Sequence, residues 1–226
     1  MKKFFIPMIA LIFLLSGATA TSSFVSHAQD GEEEVVRIYD GEDFVSAITS
    51  ENFEDENLTI ILENDIDFSE VDLKTAYETE KVFKGTFDGN GQTISNLTLS
   101  SNTNNYGLFP RANGAEIKDL KISGQITFDL AADTMQKYVG VLVGQGENVN
   151  IHNCEFVFDD ASVEGASNQA ISLNINSNII FGGIAGRLSS ISGGQSKISD
   201  CISYYDLNVT FEYNTLSYIG GLVGQL

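Results

Sequence analysis

Histidine is almost missing from this chain, with two residues in 226, and His27 falls in an apolar N-terminal leader. His152 is the one imidazole left for the mature part. A lone outward histidine makes neither a zinc site nor a general base, and no HExxH segment or nucleophile elbow accompanies it. Tryptophan is absent and proline occurs twice, once inside the leader. Basic residues are scarce: 12 Lys and Arg stand against 31 Asp and Glu, for a net charge of −19. Such a surface repels nucleic acid and anionic lipid, while it attracts basic partners and divalent cations. No second long apolar run follows the leader, no cysteine ends it in the manner of a lipoprotein, and no C-terminal sorting motif is visible.

What is present reads as export followed by strands. Lys2 and Lys3 precede an apolar run from Phe4 to Leu15, too short to span a bilayer and followed by small residues. This is a secretory signal, cut after Ala20 or after Ala28. Cleavage leaves the mature chain two charges more negative. Abundant Gly, Asn, Ile, Val, Leu and Phe predict many short strands joined by tight turns, and argue against a helical bundle.

Two short patterns recur. ISNLTL from Ile94, IKDLKI from Ile117, IHNCEF from Ile151 and ISDCIS from Ile198 share an Ile in the first place. They share Asn96, Asp119, Asn153 and Asp200 in the third, and Leu97, Leu120, Cys154 and Cys201 in the fourth. The second pattern is GLFP at Gly107, VLVG at Val141, GIAG at Gly183 and GLVG at Gly221, with Arg111, Gln145, Arg187 and Gln225 next. The Ile spacings of 23, 34 and 47 residues suit one turn of a parallel β-helix plus inserted loops, at Leu130 to Gln136 and Gly165 to Asn178. The Ile and Leu/Cys columns then form the core, and the Asn/Asp column marks a bend where a short polar side chain tolerates left-handed backbone. These repeated residues are a structural ladder rather than a catalytic constellation.

The segment from Leu62 to Leu99, with LENDIDFS and FKGTFDGNGQTISNLTL, is followed by YGLFP, AEIKDLKISG and VGVLVGQ. In this order it resembles the GLUG-motif β-helix region of bacterial secreted and cell-surface proteins, from about Val35 to the C-terminus. Pro110 and Val141 depart from the motif's glycines. The resemblance implies an all-β, right-handed parallel β-helix of an adhesin-like protein, or the non-catalytic region of a large secreted protease. It supplies no catalytic residue.

The organisation expected is a signal over residues 1–28, then an acidic linker and strand-helix cap over 29–56, then β-helix repeats over 57–226. In the cap, Val35 to Tyr39 reads as a strand and Asp40 caps a helix to Ser50, with Phe44, Ala47 and Ile48 on one face. Because the chain stops inside a GLVG repeat, the array is expected to be incomplete, continued by further chain or by a partner. Glu63, Asp65, Asp67, Glu70 and Asp72 form an acidic cluster. Asp65, Asp67 and Asp72 are its calcium candidates, the one cofactor the residues allow. Asp88 in DGNG reads instead as a hairpin-like turn. Cys154 and Cys201 read as reduced core thiols, with a disulfide as the alternative. The leading expectation is a non-catalytic secreted or wall-associated protein that binds a host protein or polysaccharide. The alternative is a secreted polysaccharide lyase or hydrolase, calcium-dependent if the acidic cluster is used.

Overall fold

The computed structural model describes residues 33–77, 80–101, 103–130, 133, 135–157, 171–175, 178–204, 207–211 and 217–226. The signal expected over residues 1–28, with both of its candidate cleavage sites, lies outside the described residues.

The fold is all-β, and among the described residues every strand pairing is parallel. The first sheet runs Glu34–Ile38, Leu58–Leu62, Thr86–Asp88, Glu116–Lys118, Asn150–His152 and Lys197–Ser199 in spatial order. The second holds Ile66–Asp67, Thr93–Ser100, Lys121–Asp129, Glu155–Val157 and Ile202–Tyr204. The third holds Asn105–Tyr106, Lys137–Gly140, Ile179–Gly182 and Ser217–Gly220. The fourth holds Val82–Phe83, Phe109–Asn113, Val143–Glu147, Ala185–Ser189 and Val223–Gln225. The chain visits the sheets in this order on successive passes, so each strand pairs with its equivalent one pass earlier. Among the described residues, no helix is long and apolar enough to cross a membrane.

Strand alternation builds the interior. The first-sheet column Ile60, Phe87, Ile117 and Ile151 is in direct register and fully buried. The third contributes Tyr106, Val139 and Phe181, and the fourth Phe109, Val143 and Ala185. Each buried Ile or Phe is worth about 2–3 kcal/mol of transfer free energy, and in the first sheet the residues flanking this column are less buried. Phe53, Phe83, Phe87 and Phe109 form a continuous aromatic stack, with Phe83 and Phe109 centroids 4.6 Å apart.

The helix expected behind Asp40 forms. Asp40 Oδ1 accepts from Asp43 N at 2.9 Å and starts a helix over Gly41–Thr49, whose Phe44, Ala47 and Ile48 are buried. Phe44 sits edge-on to Phe68 and Phe87, closing that end of the interior. The strand before it, Glu34–Ile38, pairs in parallel with Leu58–Leu62 and therefore already belongs to the first sheet.

Three local readings change. A second short helix, Leu73–Ala76, occupies the first pass between the second and fourth sheets, capped by Asp72. The expected loop from Gly165 to Asn178 contains a strand, Ile171–Ile175, paired with Leu207–Phe211; residues 165–170 and 176–177 lie outside the described residues. DGNG does not turn a hairpin, because the strands on either side of it belong to different sheets.

The GLVG register is as read: Arg111, Gln145, Arg187 and Gln225 are successive partners. Sterically required glycines lie at the motif's fourth place, where a Cβ on Gly186 would fall 2.5 Å from Val139 N, and one residue before the motif. A Cβ on Gly140 would fall 2.4 Å from Val143 O, and on Gly182 2.1 Å from Ala185 O. At the motif's first place a Cβ on Gly221 would meet nothing within 4 Å, but one on Gly107 would lie 2.8 Å from Gly144 N, so the room that Val141 takes differs from pass to pass.

Candidate functional site

The ladder predicted from the repeats is partly assembled. Asp119, Asn153 and Asp200 follow the first-sheet strands of three successive passes and turn the chain into the second sheet, all left-handed at φ 54°, 52° and 54°. Asn153 Nδ2 donates to Asp119 Oδ1. Backbone bonds tie the corner across passes: Asp119 N to His152 O at 3.3 Å, and Asn153 N to Ser199 O at 3.2 Å. Leu120, Cys154 and Cys201 follow in one column, with Leu120 and Cys154 buried and Cys201 half-buried.

Asn96 and Leu97 do not join them. Ile94 pairs with Ile66 and Ile122 in the second sheet, and Leu97 pairs with Ile126. Asn96, at φ 57°, kinks the second-sheet strand in register with a bulge at Gly124, φ 73°. Its Nδ2 donates to Asp67 Oδ1 at 3.0 Å, and its Oδ1 accepts from Gln125 N at 3.2 Å. A Cβ on Gly124 would lie 2.6 Å from Asn96 Oδ1, so this second ladder of Asp67, Asn96 and Gly124 needs a glycine at its end. The corner residue that precedes Asp119 in space is Asn90, φ 51°, inside DGNG. Gly91 N donates to Asp119 O at 2.7 Å, and Asn90 Nδ2 reaches Leu62 O at 3.1 Å.

The corner opens on a groove of about 430 Å³ lined by Asp88, Asn90, Asp119, Asn153, Glu155 and Asp200, with Lys121 beside them. A second groove, about 440 Å³, runs over the outer face of the second sheet along Thr93, Ser95, Asn96, Ser123 and Gly124. Lys121 borders both. Charge at the rim is paired. Lys118 Nζ lies 3.2 Å from Asp88 Oδ2, and this bond holds the Lys118 ammonium above its ordinary range. His152 Nε2 lies 3.1 Å from Glu116 Oε1, so the imidazole is engaged rather than isolated.

The calcium candidates are dispersed. Asp65 Oδ1 accepts from Thr93 N at 2.7 Å. Asp67 accepts from Ser69 N at 2.9 Å as well as from Asn96; the Ser69 amide does most to hold its carboxyl below the usual range. Asp72 accepts from Lys74 N, Thr75 N and, at 2.7 Å, the Thr75 hydroxyl, which is the main cause of its lowered pKa. Each carboxylate caps its own stretch of backbone, and among the described residues no three His, Cys, Asp or Glu side chains gather as metal ligands.

Several residues of the site escaped sequence reasoning. Thr93, Ser95 and Ser123 are separated in sequence, and only the parallel register makes one hydroxyl face of them. Glu80, 3.8 Å from Arg111 Nη1, gives the arginine column an acid that repeat alignment does not show. Arg187 lies over the Tyr138 ring at 5.8 Å. The arrangement is able to donate and accept hydrogen bonds along a continuous outer face. Comparison with protein-family models, curated proteins and solved structures found no match to this chain.

Proposed function

We propose that this chain is an exported, non-catalytic binding protein, secreted or held at the bacterial cell surface. Its sheets wind as a right-handed parallel β-helix of the GLUG-motif kind. The observation that carries the binding reading is the pair of adjoining grooves bordered by Lys121, about 430 and 440 Å³. Their walls alternate amides, carboxylates and hydroxyls at the pass-to-pass spacing. Rows of this kind complement a chain of sugar hydroxyls, which accept and donate in turn. The acidic surface selects against polyanions, so a neutral or amino-bearing surface glycan is the ligand class that fits best, and a basic host protein is next.

An array of neutral, amino and acidic glycans, run beside a panel of matrix proteins, tests this. Retention is expected on neutral or amino glycans, and Lys121→Glu should lower it on the neutral ones. Loss of retention across both panels would remove the adhesive reading. The winding is tested separately by an experimental structure. A second reading, a secreted polysaccharide lyase or hydrolase, draws on Arg111 and Glu80 meeting on the fourth sheet. Release of reducing ends from a panel of polymers, abolished by Glu80→Gln, would support it over binding alone.

A further inference from the structure

The two cysteines stand on successive passes at one corner. The residues before them, Asn153 and Asp200, share the left-handed corner conformation, and the residues after them, Glu155 and Ile202, are register partners. Ile202 N donates to Cys154 O at 2.9 Å. Cys154 and Cys201 are therefore direct neighbours across the ladder. Strand spacing sets their α-carbons about 4.8 Å apart, inside the range a disulfide spans. Both are free thiols. Cys154 is buried with its thiol directed at His152 O, 3.3 Å away, whereas Cys201 is half-buried and directed at Ser199 O, 3.3 Å away. The corner groove has Asp119, Asn153, Cys154, Asp200 and Ile202 in its wall, and Cys201 lies between the last two in sequence.

Two neighbouring thiols that are unequally exposed divide a reaction between them. The neighbouring Cys154 side chain holds the Cys201 thiol down to about 7, and His152 adds to the effect. The Cys201 side chain, with burial behind it, pushes the Cys154 thiol well above its ordinary range. The more exposed sulfur is thus the one that ionises first, and the buried one stays protonated until its partner has reacted.

We propose that Cys201 and Cys154 form a thiol–disulfide exchange site, Cys201 the attacking nucleophile and Cys154 the resolving thiol, that closes to an intrachain disulfide on meeting a small-molecule disulfide. In the first step the Cys201 thiolate bonds to one sulfur of the reagent, and the other sulfur leaves as a thiolate that takes a proton from solvent. In the second, Cys154 releases its proton to solvent and bonds to Cys201 Sγ as the second half of the reagent departs and is protonated. The cysteine pair is oxidised by two electrons and the reagent is reduced to two thiols. The bond would staple two passes together across the insertion between them. This site goes beyond the binding reading and does not depend on it.

The test uses the full chain, reduced, desalted and exposed to oxidised glutathione, followed by thiol titration and intact mass. The wild type is expected to lose both titratable thiols and two hydrogens of mass, stay monomeric and keep no adduct. Its melting midpoint should rise and should return on reduction. Cys154→Ser is expected to stop with one glutathionyl group on Cys201, and Cys201→Ser to react at least about tenfold more slowly. A wild type that keeps both thiols, retains a stable adduct, or crosslinks only between chains would overturn the proposal. Because the wild type alone separates these outcomes, a variant that fails to fold does not weaken the test.

Discussion

Asn153 offers a direct test of why the corner column is built from Asn and Asp. Two separate contributions act there. Its backbone is left-handed at φ 52°, where a Cβ-bearing residue without a compensating side chain is penalised by about 1 kcal/mol. Its amide also donates to Asp119 on the preceding pass. The residue is exposed, so that bond is worth about 1 kcal/mol at most. Asn153→Gly removes the bond but keeps the conformational freedom, and should cost about 1 kcal/mol. Asn153→Ala removes both, and should cost about 2 kcal/mol. Urea unfolding followed by far-ultraviolet circular dichroism measures the difference, with the slope checked so that a change of cooperativity in a repetitive fold is not read as stability. Equal losses for Gly and Ala would refute the argument, because the column would then be selected by hydrogen bonding alone. A Gly variant less stable than Ala would refute it more strongly.

The aromatic stack and the acid limb give two further outcomes. Phe109→Ala opens a hole against Phe53, Phe83 and Phe87 and should cost about 4 kcal/mol by urea midpoint, whereas a loss under about 1 kcal/mol would mean the stack collapses to fill it. Asp67, Asp72 and Asp133 all have carboxyls held below the ordinary value of 3.8, by the Ser69 amide, the Thr75 hydroxyl and the Lys137 ammonium respectively. The unfolded chain binds the protons first, so their contribution is intact above about pH 3.8 and is lost as pH falls below it. Asp133→Asn strands the fully buried Lys137 ammonium that it meets at 2.6 Å, and should cost about 2 kcal/mol at neutral pH, discounted because Asp133 is itself 42% exposed. It should also flatten the acid limb of the stability curve, and an acid limb as steep as that of the wild type would sink the assignment.

The sequence makes the interior legible where local pattern and register coincide, and misleads where one local pattern serves two places. The GLVG column and the helix behind Asp40 are of the first kind. Each is a short motif whose geometry is complete within a few residues, and the structure keeps their registers as read. ISNLTL and IKDLKI are of the second kind. Both encode an inward Ile, a left-handed Asn or Asp two residues on and an inward Leu, yet one kinks the second sheet and the other turns the corner into it. The true equivalent of Ile117 is Phe87, disguised by DGNG, which makes the step from Phe87 to Ile94 two residues longer than that from Ile117 to Ile122. Once Phe87 takes its place, the passes from Ile60 through Phe87, Ile117 and Ile151 to Ile198 lengthen steadily through 27, 30, 34 and 47 residues. The grooves follow from that correction. Thr93, Ser95, Lys121 and Ser123 become one face only when Ile94 is set beside Ile122, so reading the repeat in its apparent phase hides the surface on which the binding proposal rests.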